Sequence, residues 1–205
     1  MTNILLIGGC NWLCRELIDK LQDENDKTKL TCIDNMSSEY SSCHIVNKYK
    51  NLDTFEFIYM DVNNEKKLNK LINKNTIIIY NILSDPDSIK GLYNIKNICM
   101  NNGYKQLIYR TNNELLTNFK TICSELTSSI GIIYEGELVG NYDIINKMDI
   151  IDTIKYYDKI GNNVYINKNF EYYKMKDVVS FIYFLMNIDN NDHIIISQPT
   201  QSFVE

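Results

Sequence analysis

The chain has 205 residues, of which 44% are hydrophobic and 23% charged, so it is long enough to bury one substantial core. Its net charge of −5, with no basic stripe that carries interleaved aromatics, argues against nucleic acid as a partner. No Lys or Arg precedes the first apolar run, and the late run VVSFIYFLM is too short to span a bilayer. We therefore expect a cytoplasmic protein with no membrane partner.

The cysteines do not form a metal-binding pattern. None of the six lies in a C-x-x-C pair, and His44 and His193 are far in sequence from any pair of cysteines. We expect thiols in a reducing compartment, with neither a metal site nor a disulfide framework. The chain has no alanine and is rich in Asn, Ile, Lys and Tyr. We interpret this as the codon usage of an AT-rich genome, such as that of a large DNA virus or a protist, and not as a functional signal.

The predicted elements alternate between strands and helices from the first residues on. NILLI (3–7) is an apolar run that ends at a glycine turn, and hydrophobic residues at helical spacing follow it directly. Short connections between alternating elements indicate a Rossmann-like, doubly wound parallel sheet of the α/β class. The pattern predicts strands over 3–7, 30–34, 55–61, 76–82, 105–110 and 129–135, and helices over 11–22, 63–72, 87–102 and 113–127.

The regular alternation of predicted strands and helices changes after Gly140. Helices are predicted over 144–157 and 176–187, and strands over 162–167 and 193–197. We therefore predict a Rossmann-like dinucleotide-binding domain over 1–135. A small, reduced C-terminal lobe over 136–205 is expected to cover the carboxyl ends of the strands.

The glycine turn after the first strand resembles an incomplete dinucleotide fingerprint. Gly8 fits the tight turn, but Asn11 and Cys14 stand where the second and third glycines are expected. Asn11 tolerates a left-handed backbone better than most residues, so the turn is expected to survive. Asp34 ends the second strand, where an acid binds a ribose 2′-hydroxyl and disfavours a 2′-phosphate.

Several segments together resemble the extended short-chain dehydrogenase/reductases, the NAD-dependent epimerase/dehydratase family that acts on nucleotide sugars. The resemblance touches nearly the whole chain, and each piece is moderately specific. The segments are GGCNWLCRELIDKL (8–21), IDNMSS (33–38), FIYMDVNN (57–64), SIKGLYNI (88–95) and NFEYYKMKDVVSFIYFLM (169–186).

The resemblance implies a cofactor, a ligand class and a mode of association. The cofactor would be NAD, and the partner a nucleotide or nucleotide sugar. The family also pairs two helices, here 87–102 and 113–127, across a dimer axis, which implies a homodimer or another protein partner. The residues carried over as cofactor-binding are Gly8, Gly9, Asn11, Trp12, Leu13, Asp34, Asn35, Asp61 and Val62.

Two departures from the family concern catalysis. The family uses a Tyr four residues before a Lys, together with a Ser or Thr; here Lys120 and Thr111 are the candidates, but Leu116 stands at the tyrosine position. Tyr109 and Tyr134 are expected to be core or edge residues and not substitutes. The small residues that follow the family's fourth strand are also replaced, by YNILS (80–84).

Two functions remain open at this point. In the first, the protein has lost catalysis and acts as a binding or interaction module. In the second, it is an active NAD-dependent nucleotide-sugar epimerase, dehydratase or reductase with a rearranged proton donor.

Overall fold

The structure is a computed structural model of the chain. It describes residues 2–37, 43–82, 88–111, 113–127, 129–133, 165–167, 175–187 and 194–197.

The described strands form one parallel sheet. Its order is β3-β2-β1-β4-β5-β6-β8-β7. The chain winds outward from β1 to β3 at one edge and from β4 to β6 in the other direction; β7 then forms the second edge and β8 lies between β6 and β7. The strands are β1 (Asn3–Ile7), β2 (Lys29–Asp34), β3 (Phe55–Tyr59), β4 (Thr76–Tyr80), β5 (Gln106–Thr111), β6 (Ser129–Ile133), β7 (Tyr165–Asn167) and β8 (Ile194–Ser197).

Helices cover both faces of this sheet. One face packs against α1, α2 and α6, and the other against α3, α4 and α5, each through its own buried hydrophobic cluster. The helices are α1 (Trp12–Asp23), α2 (Cys43–Tyr49), α3 (Glu65–Leu68), α4 (Ser88–Asn102), α5 (Asn113–Cys123) and α6 (Met175–Met186).

The sequence explains why these segments form these elements. Every residue of TIIIY in β4 is buried, as expected for a strand covered by helices on both faces. In α1, Leu13, Leu17 and Leu21 are buried at helical spacing while Arg15 faces solvent. Gly103 follows α4 with φ +72°, a left-handed conformation that ends a helix and favours glycine.

The predicted doubly wound α/β fold is confirmed, with two local differences. Helix α2 was not predicted, because its seven residues follow a polar stretch and show little periodicity. Helix α3 is four residues long and not ten, since Asn69 ends it as the C-cap.

The C-terminal part is described only in pieces. Strands β7 and β8 extend the same sheet beyond β6, and α6 packs against α1 on the sheet face. The helix predicted over 144–157 lies outside the described residues. The division into a domain over 1–135 and a lobe over 136–205 stays a prediction. Within the described ranges, no helix has the length and apolar character needed to cross a membrane.

Candidate functional site

The carboxyl ends of β1, β2, β4 and β5 meet at one edge of the sheet, where open α/β sheets bind their ligands. We call the ends of β1, β2 and β3 the β2 side of this edge, and the ends of β4 and β5 the β5 side. The strand order reverses between β1 and β4, so the ligand crevice of the fold lies where the two sides meet.

Gly8 makes the tight turn that leads from β1 toward α1. Its φ is +67°, and its N–H donates to the carbonyl oxygen of Ile33 on β2 at 2.9 Å. A Cβ at Gly8 would lie 2.4 Å from Cγ1 of Ile82, so both the conformation and the space at this position require glycine.

Asn11 does not adopt the left-handed backbone that the sequence suggested. Its φ is −139°, in the extended region, and it is the N-cap of α1. The side-chain Oδ1 accepts a hydrogen bond from the N–H of Leu13 at 3.0 Å. Since Gly8 alone provides the positive φ that this turn needs, Asn11 has an extended backbone and caps the helix. One N–H at the start of α1, where a phosphate would bind, is therefore occupied by a protein group.

Asp34 connects the glycine turn to the end of β2. The residue is buried, and its carboxylate accepts hydrogen bonds from the N–H of Cys10 at 2.9 Å and from the N–H of Met36 at 2.7 Å. The carboxylate thus lies directly beside the turn that would hold the phosphates.

Four other carried-over residues surround this turn and the end of β2. A Cβ at Gly9 would lie 2.3 Å from Cγ of Leu6, so this position is tightly packed. Leu13 is buried, and Asn35 accepts hydrogen bonds from the N–H and hydroxyl of Ser37. Trp12 opens α1, and its side chain is outside what the structure describes.

The end of β3 completes the β2 side. Asp61 is exposed and accepts a hydrogen bond from the N–H of Asn63 at 2.7 Å. Val62 is buried against α4, where a Cβ at Gly91 would lie 2.6 Å from its Cγ1. Asp61 therefore presents a carboxylate to solvent while Val62 fixes the loop that carries it.

Larger side chains fill the β5 side. The strand register places Gly8, Asn81 and Arg110 next to one another across β1, β4 and β5. Asn81 is buried and donates through Nδ2 to the carbonyl oxygen of Gly8 at 3.1 Å, while Arg110 Nη1 lies 3.4 Å from Asn81 Oδ1. Ile82 lies against Gly8 from the same strand end. None of these three side chains was predicted from the sequence to be a site residue.

For the catalytic candidates, the structure describes the position of the backbone only. Thr111 is the last residue of β5, and Lys120 lies in α5 with Leu116 one turn before it. Nothing is described of these three side chains. Tyr109 is buried and packs edge-on against Phe119, with ring centroids 5.8 Å apart, as expected for a core residue. Tyr134 lies outside the described residues.

Three buried thiols lie beneath the glycine turn. Cys10, Cys14 and Cys32 have no exposed surface, and hydrogen bonds with the other two thiols, together with burial, raise the pKa of Cys32 well above its usual value. The structure describes all six cysteines of the chain, and no disulfide joins any of them. Within the described residues, no group of His, Cys, Asp or Glu side chains is arranged to hold a metal ion.

The sequence of this half of the molecule matches a known family. Residues 5–122, more than half of the chain, match the 3-beta hydroxysteroid dehydrogenase/isomerase family. The chain belongs to this family. The family is one of the extended short-chain dehydrogenase/reductases, so the resemblance seen in the sequence is confirmed. No curated protein gives a significant match to the chain.

Solved structures show the same fold in two sugar-nucleotide enzymes and in a plant reductase. A dTDP-glucose 4,6-dehydratase from Bacillus anthracis in complex with NAD matches with a TM-score of 0.69 at 10% identity, over 96% of this chain and 75% of the enzyme. A UDP-glucose-4-epimerase from Stenotrophomonas maltophila with NAD and formylated UDP-arabinopyranose matches with a TM-score of 0.63 at 11% identity, over 97% and 78%. Vestitone reductase from alfalfa gives a TM-score of 0.65 at 12% identity, over 98% and 77%.

The two sides of the edge present different groups. On the β2 side, Gly8 makes the tight turn and the Asp34 carboxylate accepts a hydrogen bond from the Cys10 N–H beside it. On the β5 side, Ile82 packs against Gly8, Asn81 donates to the Gly8 carbonyl, and Arg110 lies beside Asn81. Among the described residues, the β2 side therefore has the turn and the acid that this fold places at the adenosine half of a dinucleotide.

Proposed function

We propose that this protein is a nucleotide-binding member of its family that has lost catalysis and acts as a binding or interaction module. The observation that carries the proposal is Leu116, which stands in α5 four residues before Lys120, at the position of the family's tyrosine. A leucine has no proton to donate or accept. General acid–base catalysis contributes about 10²- to 10⁴-fold to such reactions, so the remaining turnover is expected to be very slow.

The nucleotide that we propose has an unmodified 2′-hydroxyl on its adenosine ribose, as NAD does. The Asp34 carboxylate is the group that supports this choice, because it accepts hydrogen bonds and repels a 2′-phosphate. NADP is therefore expected to bind more weakly than NAD. Asp61, exposed on the neighbouring strand end, is the second acceptor proposed for the adenosine part.

Turnover assays test the loss of catalysis directly. Purified protein is incubated with NAD and a panel of UDP- and dTDP-sugars, together with a 3β-hydroxysteroid because the family description names that class. NMR is expected to detect no oxidation, epimerisation or dehydration. Product formed over several turnovers, and abolished by Lys120→Ala, would show instead that the protein is an active enzyme with another proton donor. The intact Asp34 and Asp61 are what favours this second function.

We propose further that the protein associates with a second copy through α4 and α5. On α4, Tyr93 is 47% exposed and Met100 is 56% exposed, and their spacing of seven residues places them on one helix face. Lys96 of α4 forms an ion pair with Glu125 at 2.7 Å, which fixes α4 against the end of α5.

Light scattering at increasing concentration tests this association. We expect a dimer mass for the native chain and a monomer mass for Met100→Lys. Tyr59→Lys is the matched control, because Tyr59 is 69% exposed on β3, away from these helices. A monomer at every concentration would contradict the proposal.

A further inference from the structure

The end of helix α4 carries the single Asn-Gly pair of the sequence, Asn102-Gly103. Asparagine followed by glycine is the dipeptide most prone to deamidation, because glycine has no side chain to hinder the approach of its own amide nitrogen to the carboxamide carbon. Asn102 is exposed, so water reaches the position where the product forms. The pair therefore has the chemistry of a modification site.

Deamidation requires two groups of this pair to meet. The amide nitrogen of Gly103 loses its proton and forms a bond to Cγ of Asn102. The bond between Cγ and Nδ2 then breaks, so that ammonia leaves and a cyclic succinimide remains. Water opens this ring and gives either aspartate or isoaspartate. The reaction needs no oxidant and no enzyme, but the Gly103 N–H must be free to ionise and the carboxamide must be free to rotate toward it.

In the folded protein both reacting groups already make hydrogen bonds. The N–H of Gly103 donates to the carbonyl oxygen of Cys99 at 2.9 Å. Nδ2 of Asn102 lies 3.0 Å from the carbonyl oxygen of Asn69, 3.1 Å from Oδ1 of Asn69 and 3.1 Å from the carbonyl oxygen of Ile72. These contacts join the end of α4 to the turn between α3 and β4. The succinimide can form only after they break.

The same three oxygens determine what the modification does to the fold. Two of them are backbone carbonyls, which only accept hydrogen bonds, so the group that faces them must be a donor. A carboxylate at position 102 has no donor and would place negative charge against these oxygens. Negative charge in the last turn of a helix is also unfavourable, because of the helix dipole. The product therefore cannot remake the contacts that Asn102 makes.

We propose that Asn102 is a deamidation site that the native fold protects. It is modified when the end of α4 opens, and the modified chain does not regain the contact between α4 and the turn that follows α3. The proposal is independent of nucleotide binding and of catalysis, because it concerns the opposite end of α4 from the carboxyl edge of the sheet.

The rate of deamidation in the folded and unfolded full chain tests the protection. Samples are kept at mildly alkaline pH with and without concentrated urea and are then digested with trypsin, which releases residues 97–105 as one peptide. Mass spectrometry locates aspartate and isoaspartate within it. We expect the reaction at Asn102 to be at least about tenfold slower in the folded chain. Equal rates would overturn the protection, and faster modification of Asn101 than of Asn102 in urea would overturn the site.

A pair of variants tests whether the contacts of Asn102 provide the protection. Asn69→Ala removes one of the three acceptors and should speed the reaction in the folded chain about threefold, because the end of α4 then opens more often. Lys70→Ala is the matched control, since Lys70 is the exposed neighbour in the same turn. Both variants should react at the native rate in urea. If the folded Asn69→Ala protein is no faster than folded Lys70→Ala, these contacts do not protect the site.

A second pair tests the consequence of the modification. Asn102→Asp and Asn101→Asp each add one carboxylate to the last turn of α4, but only the first faces the three oxygens. Circular dichroism establishes that both variants are folded, and thermal unfolding gives their midpoints. We expect Asn102→Asp to lower the midpoint by about 5 °C and Asn101→Asp by less than about 2 °C. Equal shifts would mean that only the charge at the helix end matters and would overturn the claim that the product loses its contacts.

Discussion

The two sides of the carboxyl edge are built differently, although one sheet carries both. On the β2 side, the buried Asp34 carboxylate bonds two loop N–H groups, and the glycine turn keeps its left-handed residue. On the β5 side, Asn81 and Ile82 lie against Gly8, and Arg110 lies beside Asn81. The glycine turn and Asp34 therefore lie at different strand ends from the catalytic candidate Thr111.

The difference also concerns what holds each side in place. The β2 side depends on a buried charge whose hydrogen bonds are made to backbone groups, so removing that charge leaves donors without an acceptor. The β5 side depends on side-chain packing against a glycine, and packing can relax around a smaller residue. Substitutions on the β2 side should therefore cost more stability than comparable ones on the β5 side.

Asp34→Ala should have the largest effect of the substitutions considered. It removes the acceptor of the Cys10 and Met36 N–H groups in a buried environment, which we expect to lower the free energy of unfolding by about 4 kcal/mol. Nucleotide binding should be lost as well. Urea denaturation and calorimetry measure the two effects.

Asp61→Ala is the matched control for Asp34→Ala, since Asp61 also follows a strand but is exposed. We expect it to cost less than about 1 kcal/mol, as surface substitutions do. If the two variants unfold at the same urea concentration, the buried carboxylate is not what holds the β2 side together.

Gly8→Ala should have the next largest effect, because it combines two costs. The left-handed conformation at φ +67° costs about 1–2 kcal/mol for a residue with a Cβ, and the contact with Ile82 adds an overpacking cost of similar size. We expect the free energy of unfolding to fall by about 3 kcal/mol. Adding Ile82→Ala should recover about 1 kcal/mol of this loss, measured as the coupling energy of a double-mutant cycle.

Gly103→Ala separates the two costs. Gly103 has φ +72°, but a Cβ there would meet nothing closer than 3.5 Å. This variant should lose about 1–2 kcal/mol from conformation and should show no coupling to Ile82→Ala. Similar losses for Gly8→Ala and Gly103→Ala would mean that Ile82 does not press on the turn.

The sequence predicted the sheet better than the site, for physical reasons. Runs such as NILLI and TIIIY predict buried strands because burial on both faces leaves little choice of residue type. Gly8 was predictable for a similar reason, since only glycine adopts its conformation without strain. The suggestion of a left-handed backbone at Asn11 was wrong, because it came from aligning Asn11 with a glycine of the fingerprint. Asparagine also prefers the N-cap of a helix, and that is the role it has here.

The β5 side could not be predicted in the same way. Asn81 bonds to Gly8 and Arg110 lies beside Asn81 because β4 lies between β1 and β5, and this order brings together residues that are 73 and 102 positions from Gly8 in sequence. A motif confined to one short segment cannot reveal side chains that come together from three different strands. The available signal was Arg110 itself, one of two arginines in the chain, directly before Thr111 at a strand end.

The last expected effect, about 1 kcal/mol for each group, concerns two buried thiols on α4 and α5. Burial raises the pKa of Cys99 and of Cys123, which lie between α4 and α5, to about 12 from 9.0. A thiol that ionises more easily in the unfolded chain stabilises the fold fully below pH 9 and loses that contribution as the pH rises toward 12. Between pH 9 and 10, each of these thiols should lower the free energy of unfolding by about 1 kcal/mol.

Urea denaturation at pH 8, 9 and 10 measures this loss. The double variant Cys99→Ala/Cys123→Ala should lose about 2 kcal/mol less than the native chain between pH 9 and 10, because two of the linked protons are gone. The remaining alkaline loss then reports on the other groups whose pKa is raised, which include Cys32 and Tyr49. Cys43→Ala is the control variant, because it removes an exposed thiol. If the double variant and the native chain lose stability in parallel, ionisation of Cys99 and Cys123 does not couple to unfolding.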